Sequence, residues 1–443
     1  MNQQKTVPLF SSLFAPLRLC VIAFFCTLSL SALEVTDVTT RQRWPWNNYV
    51  DIDFVLNTNG TEDASVFAID ITGTYAGGTK TVAASTFVTA PDAMAGTNRV
   101  TWNLVADYPD LRTTDLTLTV TASEVGASDL VYLVIDLSDG STAASYPVRY
   151  TTQAPDLSND TCRTDELWLR RIPAGTFTMG SPGGEVGRDG ATEDLHKVTL
   201  TKGLYIGVFE VTQSQWTQVM GTWTFDWSNP LYWSTRPAEE VSYFDIRGTS
   251  SGTNWPNSSG VDVDSFVGKL RSRTGISTLD LPTDAQWEYA CRAGTTKALA
   301  VFLPDGLNLT NETSDANMNL AGRYKYNGGQ VSNDGGVSWT VPSPYSSVTD
   351  SNATAKVGSY LPNAWGLYDM HGNVLEWCLD RYISHLGTAD VIDPAGETTG
   401  DNRVVRSGTW ASDAKISRSA RRGFATPTIT QFHVGLRLAN PMP

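Results

Sequence analysis

The sequence predicts a two-domain chain: an all-β sandwich in the first third, then an α+β domain over the rest. Three observations carry this. The 443 residues allow two or three full cores at ~150 residues each. Before residue 155, short runs alternate with period two and no stretch has a helical period. After residue 166, strand-like runs mix with helix-start signals in which a threonine precedes a glutamine by three positions.

The N-terminal residues 1–32 read as a secretory signal: Lys5 and Arg18, the apolar run Leu19 to Leu30, then Ser29, Ser31 and Ala32 for cleavage. The run is about a dozen residues, short of the ~18–20 of a spanning helix, and no later segment could span a bilayer. The expected location is therefore outside the cell or in the envelope. Removal of the signal takes two basic residues and no acidic ones, so the net charge moves from -14 to -16. A phosphate-backbone partner needs a basic face, so nucleic acid is excluded as ligand. Cys20 and Cys26 leave with the signal; Cys162, Cys291 and Cys378 remain, an odd number, so at least one is free or pairs between molecules.

Residues 33–155 hold Tyr49 to Leu56, Ser65 to Ile71, Asn98 to Leu104, Asp115 to Thr121, Leu130 to Leu137 and Tyr146 to Tyr150, each alternating and rich in β-branched or aromatic residues. Turn signals such as Asn59-Gly60, Gly77-Gly78 and Asp139-Gly140 separate them. Six or seven short strands predict a sandwich of immunoglobulin or fibronectin type. The cluster Arg41 to Trp46 suits packing at a sandwich end, or an exposed sugar-stacking platform. Residues 156–165 are polar and without period, and read as the linker.

In residues 166–443, Leu167 to Ile172 and Phe177 to Met179 open as strands, an acidic Gly-rich loop runs from Ser181 to Asp194, and Lys197 to Phe209 returns as strand. Thr212 with Gln215, and Thr283 with Gln286, form capping boxes, and Gly294 ends the second helix. Asp264 is the expected cap of a helix over 264–273. From Thr295 to Lys356 the chain shows little regular pattern.

The densest stretch is Gly366 to Trp377, G-L-Y-D-M-H-G-N-V-L-E-W. Asp369 and Glu376 supply carboxylate oxygens, and Gly372 permits a turn aiming its own carbonyl and that of Val374 at the same point, an oxygen set suited to calcium. The same spacing is also that of a glycine turn capped by Asp369 with Glu376 in solvent. This stretch, with Ile172 to Ser181, Phe209 to Trp216, Leu281 to Gly294 and Arg406 to Trp410, resembles the formylglycine-generating enzyme family from about residue 166 onward. The resemblance implies an α+β fold related to C-type lectins, structural calcium, and a second calcium position at Asn317 and the Met318 carbonyl, with Asp350 to complete it. It also implies oxidation of a substrate cysteine to formylglycine by oxygen and a copper(I) ion on two cysteines, two and seven residues beyond the aromatic residue of the R-S-G-T-W block.

Those two positions are Ser412 and Ser417. Copper(I) is soft and prefers thiolate, whereas a hydroxyl is hard and stays protonated, so no copper is expected. Asp413 and Leu375 also stand where the family has histidine and tryptophan. Ser412, Asp413 and His433 contain the residue types of a hydrolase triad, without the strained G-x-S-x-G elbow, and His196, His371, His385 and His433 form no zinc-binding pair. The segment from Trp410 to Arg437 mixes small, hydroxyl, aromatic and charged residues, like the variable face of lectin-type relatives and of the variable proteins of diversity-generating retroelements. Ser412, Asp413, Lys415, Ser417, Phe424, Thr428, Phe432 and His433 are the expected ligand-binding residues, for a protein or glycan partner. A surface that has merely lost its cysteines is the equal alternative. The expected function is an exported binding or display protein on a catalytically silent domain; the alternative is an oxidoreductase of the family working through an altered site.

Overall fold

The computed structural model describes residues 4–8, 33–42, 49–58, 66–84, 92–93, 96–109, 111, 116–125, 131–222, 232–249, 255–303, 306–328 and 352–442. The signal segment, apart from residues 4–8, the cluster at Trp44 to Trp46 and Asp350 lie outside them. No helix among the described residues is long and apolar enough to cross a membrane. The chain forms two compact units, residues 1–135 with 147–154 and residues 136–146 with 155–443. Residues 136–146, expected inside the first domain, thus fold with the second. So do residues 156–165, expected as linker: Thr161–Thr164 forms a helical turn that buries Cys162 and Arg163.

The first unit is β-rich, as its alternation predicts. Leu33–Gln42, Tyr49–Thr58 and Gly96–Asn103 pair antiparallel in that order. Val66–Tyr75 pairs antiparallel with Thr117–Val125 on one side and Lys80–Ala83 on the other. Val50, Ile52, Phe54 and Leu56 from one sheet bury against Ile69, Ile71, Leu118 and Val120 from the other. Because side chains alternate across a strand, a one-residue slip would send each set to solvent, which fixes the register.

The second unit is α+β. Its strands Glu166–Ile172, Leu204–Gly207 and Ala439–Pro441 pair antiparallel in that order, and Gly175–Met179 pairs with His196–Leu200. A four-stranded sheet runs Gly423–Ala425, Arg403–Arg406, Leu375–Arg381, Val434–Gly435. Helices Gln213–Met220 and Asp284–Arg292 begin on the expected capping boxes, with Thr212 accepting from the Gln215 amide and Thr283 from the Gln286 amide. The helix Phe266–Thr274 is capped by Ser265 and not by Asp264: the Ser265 hydroxyl accepts from the Gly268 amide at 3.1 Å and donates to the Asp262 carbonyl at 2.6 Å. Trp287, Cys291, Met370, Cys378 and Val404 share the core between the Asp284–Arg292 helix and the four-stranded sheet.

Candidate functional site

The Gly366 to Trp377 stretch lies at the centre of the second unit because its end is the interior strand Leu375–Arg381. Asp369, Gly372 and Asn373 all have positive φ. Gly372 is required: a Cβ there would stand 2.1 Å from the Arg323 carbonyl oxygen. The turn is tied to residues 407–410 by the Gly372 amide donating to the Ser407 carbonyl, the Ser407 hydroxyl donating to the Gly372 carbonyl, and the Trp410 amide donating to the Asn373 carbonyl, each at 2.8 Å. The Asn373 side chain donates to Glu210 at 2.6 Å and accepts from the Ala355 amide at 2.8 Å.

Three carboxylates surround this turn. Glu376 is 0% exposed and faces Arg437, which donates through Nη2 to Oε1 at 2.8 Å and through Nε to both oxygens, while Trp287 Nε1 donates to Oε2 at 2.6 Å. As they stand, the Glu376 oxygens are fully occupied by protein donors. Asp369 accepts from the Gly358 amide through Oδ2 at 2.6 Å, and its buried Oδ1 has no hydrogen-bond partner. Burial raises its pKa to about 6. Glu210, unmarked in the sequence reading, accepts from the Val374 amide and the Asn373 side chain. Burial, then the nearby charges of Asp369 and Glu376, hold its pKa well above the carboxylate range.

These observations test the calcium expectation. Glu376 and Asp369 against the Arg437 guanidinium leave one negative charge in surplus even with Glu210 protonated, and Asp369 keeps an unused oxygen, so a divalent cation fits the charge balance and Asp369. Glu376 fits by charge and not by a free oxygen. Among the described residues no three His, Cys, Asp or Glu side chains gather at metal-binding distance, so any cage here needs backbone carbonyls such as those of Gly372 and Val374. At the second expected position, Asn317 donates to the Asn308 carbonyl and Met318 is buried in an apolar cluster. Asp315 closes that loop by accepting from the amides of Thr310, Asn311, Asn317 and Met318.

The structure divides the expected binding residues into separate places. Ser412, Asp413 and Lys415 lie together: the Ser412 hydroxyl bonds Thr409 Oγ1 at 2.8 Å, Asp413 accepts from the Tyr326 hydroxyl at 3.2 Å, and Lys415 pairs with Glu312 at 2.8 Å. Ser417 is 0% exposed, and its hydroxyl has no partner. Phe432 packs on Trp410 at 5.7 Å and on His433 at 5.1 Å, beside the strand Val434–Gly435. Phe424 sits on the strand at the opposite edge of the same sheet, three strand spacings or roughly 14 Å away. Thr428 is exposed on the connection between them.

Sequence reasoning assigned no role to the arginines of this segment; Arg418 and Arg422 are buried. Arg418 holds Glu185 and Glu193 at 2.6 and 2.7 Å and donates to the Gly187 carbonyl. It thereby clamps the Ser181 to Asp194 loop. Arg422 and Arg406 converge on Asp284. Cys162, Cys291 and Cys378 are free and buried, and the Cys291 thiol stands 3.8 Å from His371 Nε2. Burial raises the Cys162 thiol to about 11, Cys291 to about 12 and Cys378 well above the ordinary range. Thiols so held stay protonated and make poor metal ligands. His371 donates from Nδ1 to the Ser417 carbonyl at 2.7 Å and accepts from the Ala300 amide on Nε2 at 2.9 Å, and burial lowers its pKa to about 4, so it is neutral.

The profile of the sulfatase-modifying factor enzyme 1-like domain family matches residues 155–442. The chain is 25% identical to the mouse (Mus musculus) formylglycine-generating enzyme over 327 residues, covering 68% of this chain and 82% of that enzyme. Among solved structures, PvdO from Pseudomonas aeruginosa is similar with a TM-score of 0.45 and 26% identity, covering 62% of this chain and 94% of that one. Treponema denticola variable protein 1 is similar with a TM-score of 0.44 and 25% identity, covering 62% and 95%.

Proposed function

This chain belongs, through residues 155–442, to the family of sulfatase-modifying factor enzyme 1-like domains, and from that premise we propose that it is an exported binding protein whose family domain no longer oxidises cysteine. One observation carries the reading. Where the resemblance puts the two copper thiols, Ser412 spends its hydroxyl on Thr409 and Ser417 is sealed in the interior. A hydroxyl cannot replace a thiolate for copper(I), and the three cysteines of the second unit are buried thiols held in the protonated form. The Trp410 core and the turn at Gly372 then serve as scaffold, and the exposed side chains between residues 411 and 433 as the face that meets a ligand. The first unit we take as a β-sandwich of immunoglobulin or fibronectin type.

The test is incubation of the purified mature protein with a cysteine-containing sulfatase-type peptide, copper and oxygen, followed by mass spectrometry. No change of mass is expected. Conversion of the thiol to the aldehyde would end the reading.

Calcium enters this reading as a structural ion at Asp369, supported by the unpartnered oxygen and the surplus of carboxylates. A ion bound only by the folded state stabilises it by mass action. Chelation is expected to lower the melting temperature of the wild type and leave Asp369→Ala unmoved. Metal-free protein that melts identically with and without added calcium would remove the ion from the account.

A further inference from the structure

Phe424 stands out among the residues of the second unit. It is 57% exposed, although it lies on an edge strand, where a bare aromatic invites unwanted pairing. Its ring lies 4.6 Å from that of Tyr382 at an interplanar angle of 35°. The Arg422 guanidinium lies 5.2 Å over the same Tyr382 ring and is itself fixed by Asp284 and by the carbonyls of Thr192, Ile383 and Ser384. The aromatic pair is therefore held on a buried, hydrogen-bonded base and does not depend on a ligand for its position. Arg421 and Asp189, an ion pair at the surface, lie close enough to act on the Tyr382 phenol.

We infer that the Phe424–Tyr382 pair is a stacking platform for the apolar face of a neutral pyranose ring in a glycan, with Arg421, Asp189 and the Tyr382 hydroxyl bonding the ring's hydroxyls. The chemistry favours a sugar over other occupants. A protein or lipid contact needs a broad apolar patch with several anchors, whereas here a single aromatic pair stands beside a phenol hydroxyl and the Arg421–Asp189 ion pair. A pyranose presents that same combination, C–H bonds on one face and hydroxyls around the edge, and aromatic side chains suit surfaces that are apolar on one side and wet on the other. Because Arg421 and Asp189 cancel, the rim carries no net charge for an anionic sugar to meet. The inference rests on the binding-protein reading and gives its ligand a chemical class.

The test is isothermal titration of the full chain with cellohexaose, mannohexaose and chitohexaose. At least one is expected to bind in the millimolar range or tighter, and Phe424→Ala to weaken it about tenfold, the factor that 1.4 kcal/mol corresponds to. Ile392→Ala, which removes another exposed apolar side chain, on the strand Val391–Ile392, is the control and keeps wild-type affinity. Phe424→Ala is expected to melt with the wild type, so lost binding is not lost folding. The inference is overturned if none of the three probes binds, or if Phe424→Ala binds as tightly as the wild type. Such a failure leaves the binding-protein reading to its own peptide assay, in which Phe424 plays no part.

Discussion

Replacing Ser417 by Ala should stabilise the second unit. The hydroxyl is 0% exposed and unpartnered; the neighbouring His371 uses the Ser417 carbonyl and not the side chain. A buried polar group without a partner costs about 1–3 kcal/mol, so removing one oxygen while keeping Cβ should return on the order of 1 kcal/mol. In a unit of this size that is a rise in melting temperature of roughly 2–4 °C. Little is lost in packing, since the contact on that side is the bare Cα region of Gly408, where an added Cβ would stand 2.4 Å from the Ser417 oxygen. Ser412→Ala is the opposing control. It breaks the 2.8 Å bond to Thr409 and should cost up to about 1 kcal/mol. The assay is urea unfolding followed by near-ultraviolet circular dichroism. If Ser417→Ala destabilises by more than about 1 kcal/mol while Ser412→Ala is neutral, the Ser417 hydroxyl is bonded after all and the reasoning is wrong.

Arg437→Ala leaves Glu376 buried beside two other acids with no guanidinium, and should cost about 3–5 kcal/mol in urea unfolding; adding Glu376→Gln should restore part of it, and no restoration would mean that packing and not charge is at stake. Asp380 predicts a pH dependence. Burial and the charge of Asp284 raise its folded pKa to about 7 from an ordinary 3.8. The native state therefore holds an extra proton between those values, and stability falls as pH rises through that window. Asp380→Asn removes the fall, so the variant should match wild type at pH 4 and exceed it at pH 7.5 by about 2–4 kcal/mol. Unfolding curves that differ equally at both pH values would refute the assignment.

Much of the scaffold was legible because it rests on local pattern. Alternation of Val50, Ile52, Phe54 and Leu56 placed a strand within a few residues, and the Thr212 and Thr283 caps sit where side-chain chemistry alone required them. Asp264 and Ser265 are both competent caps, and only the backbone around Asp262 selects the second. What stayed hidden is long-range. Arg418 meets Glu185 and Glu193 across more than two hundred residues, so R-S-A-R-R carries no local sign that two of its arginines are interior. Phe424 and Phe432 are eight apart in sequence and look like one face; the connection between them spans the sheet, and they end at opposite edges. Glu210 gave no sign of its role because a single acid in an apolar run has no periodic signature.

Copper(I) affinity, measured by competition with a chromophoric chelator for the wild type and for the double variant Ser412→Cys with Ser417→Cys, tests the central claim most directly. The account predicts no tight binding by the wild type and a gain of binding in the double variant, since the family scaffold would then carry thiols at both positions. Wild-type protein that holds copper(I) as tightly as the double variant would contradict it, because some other residues would then form the cofactor site.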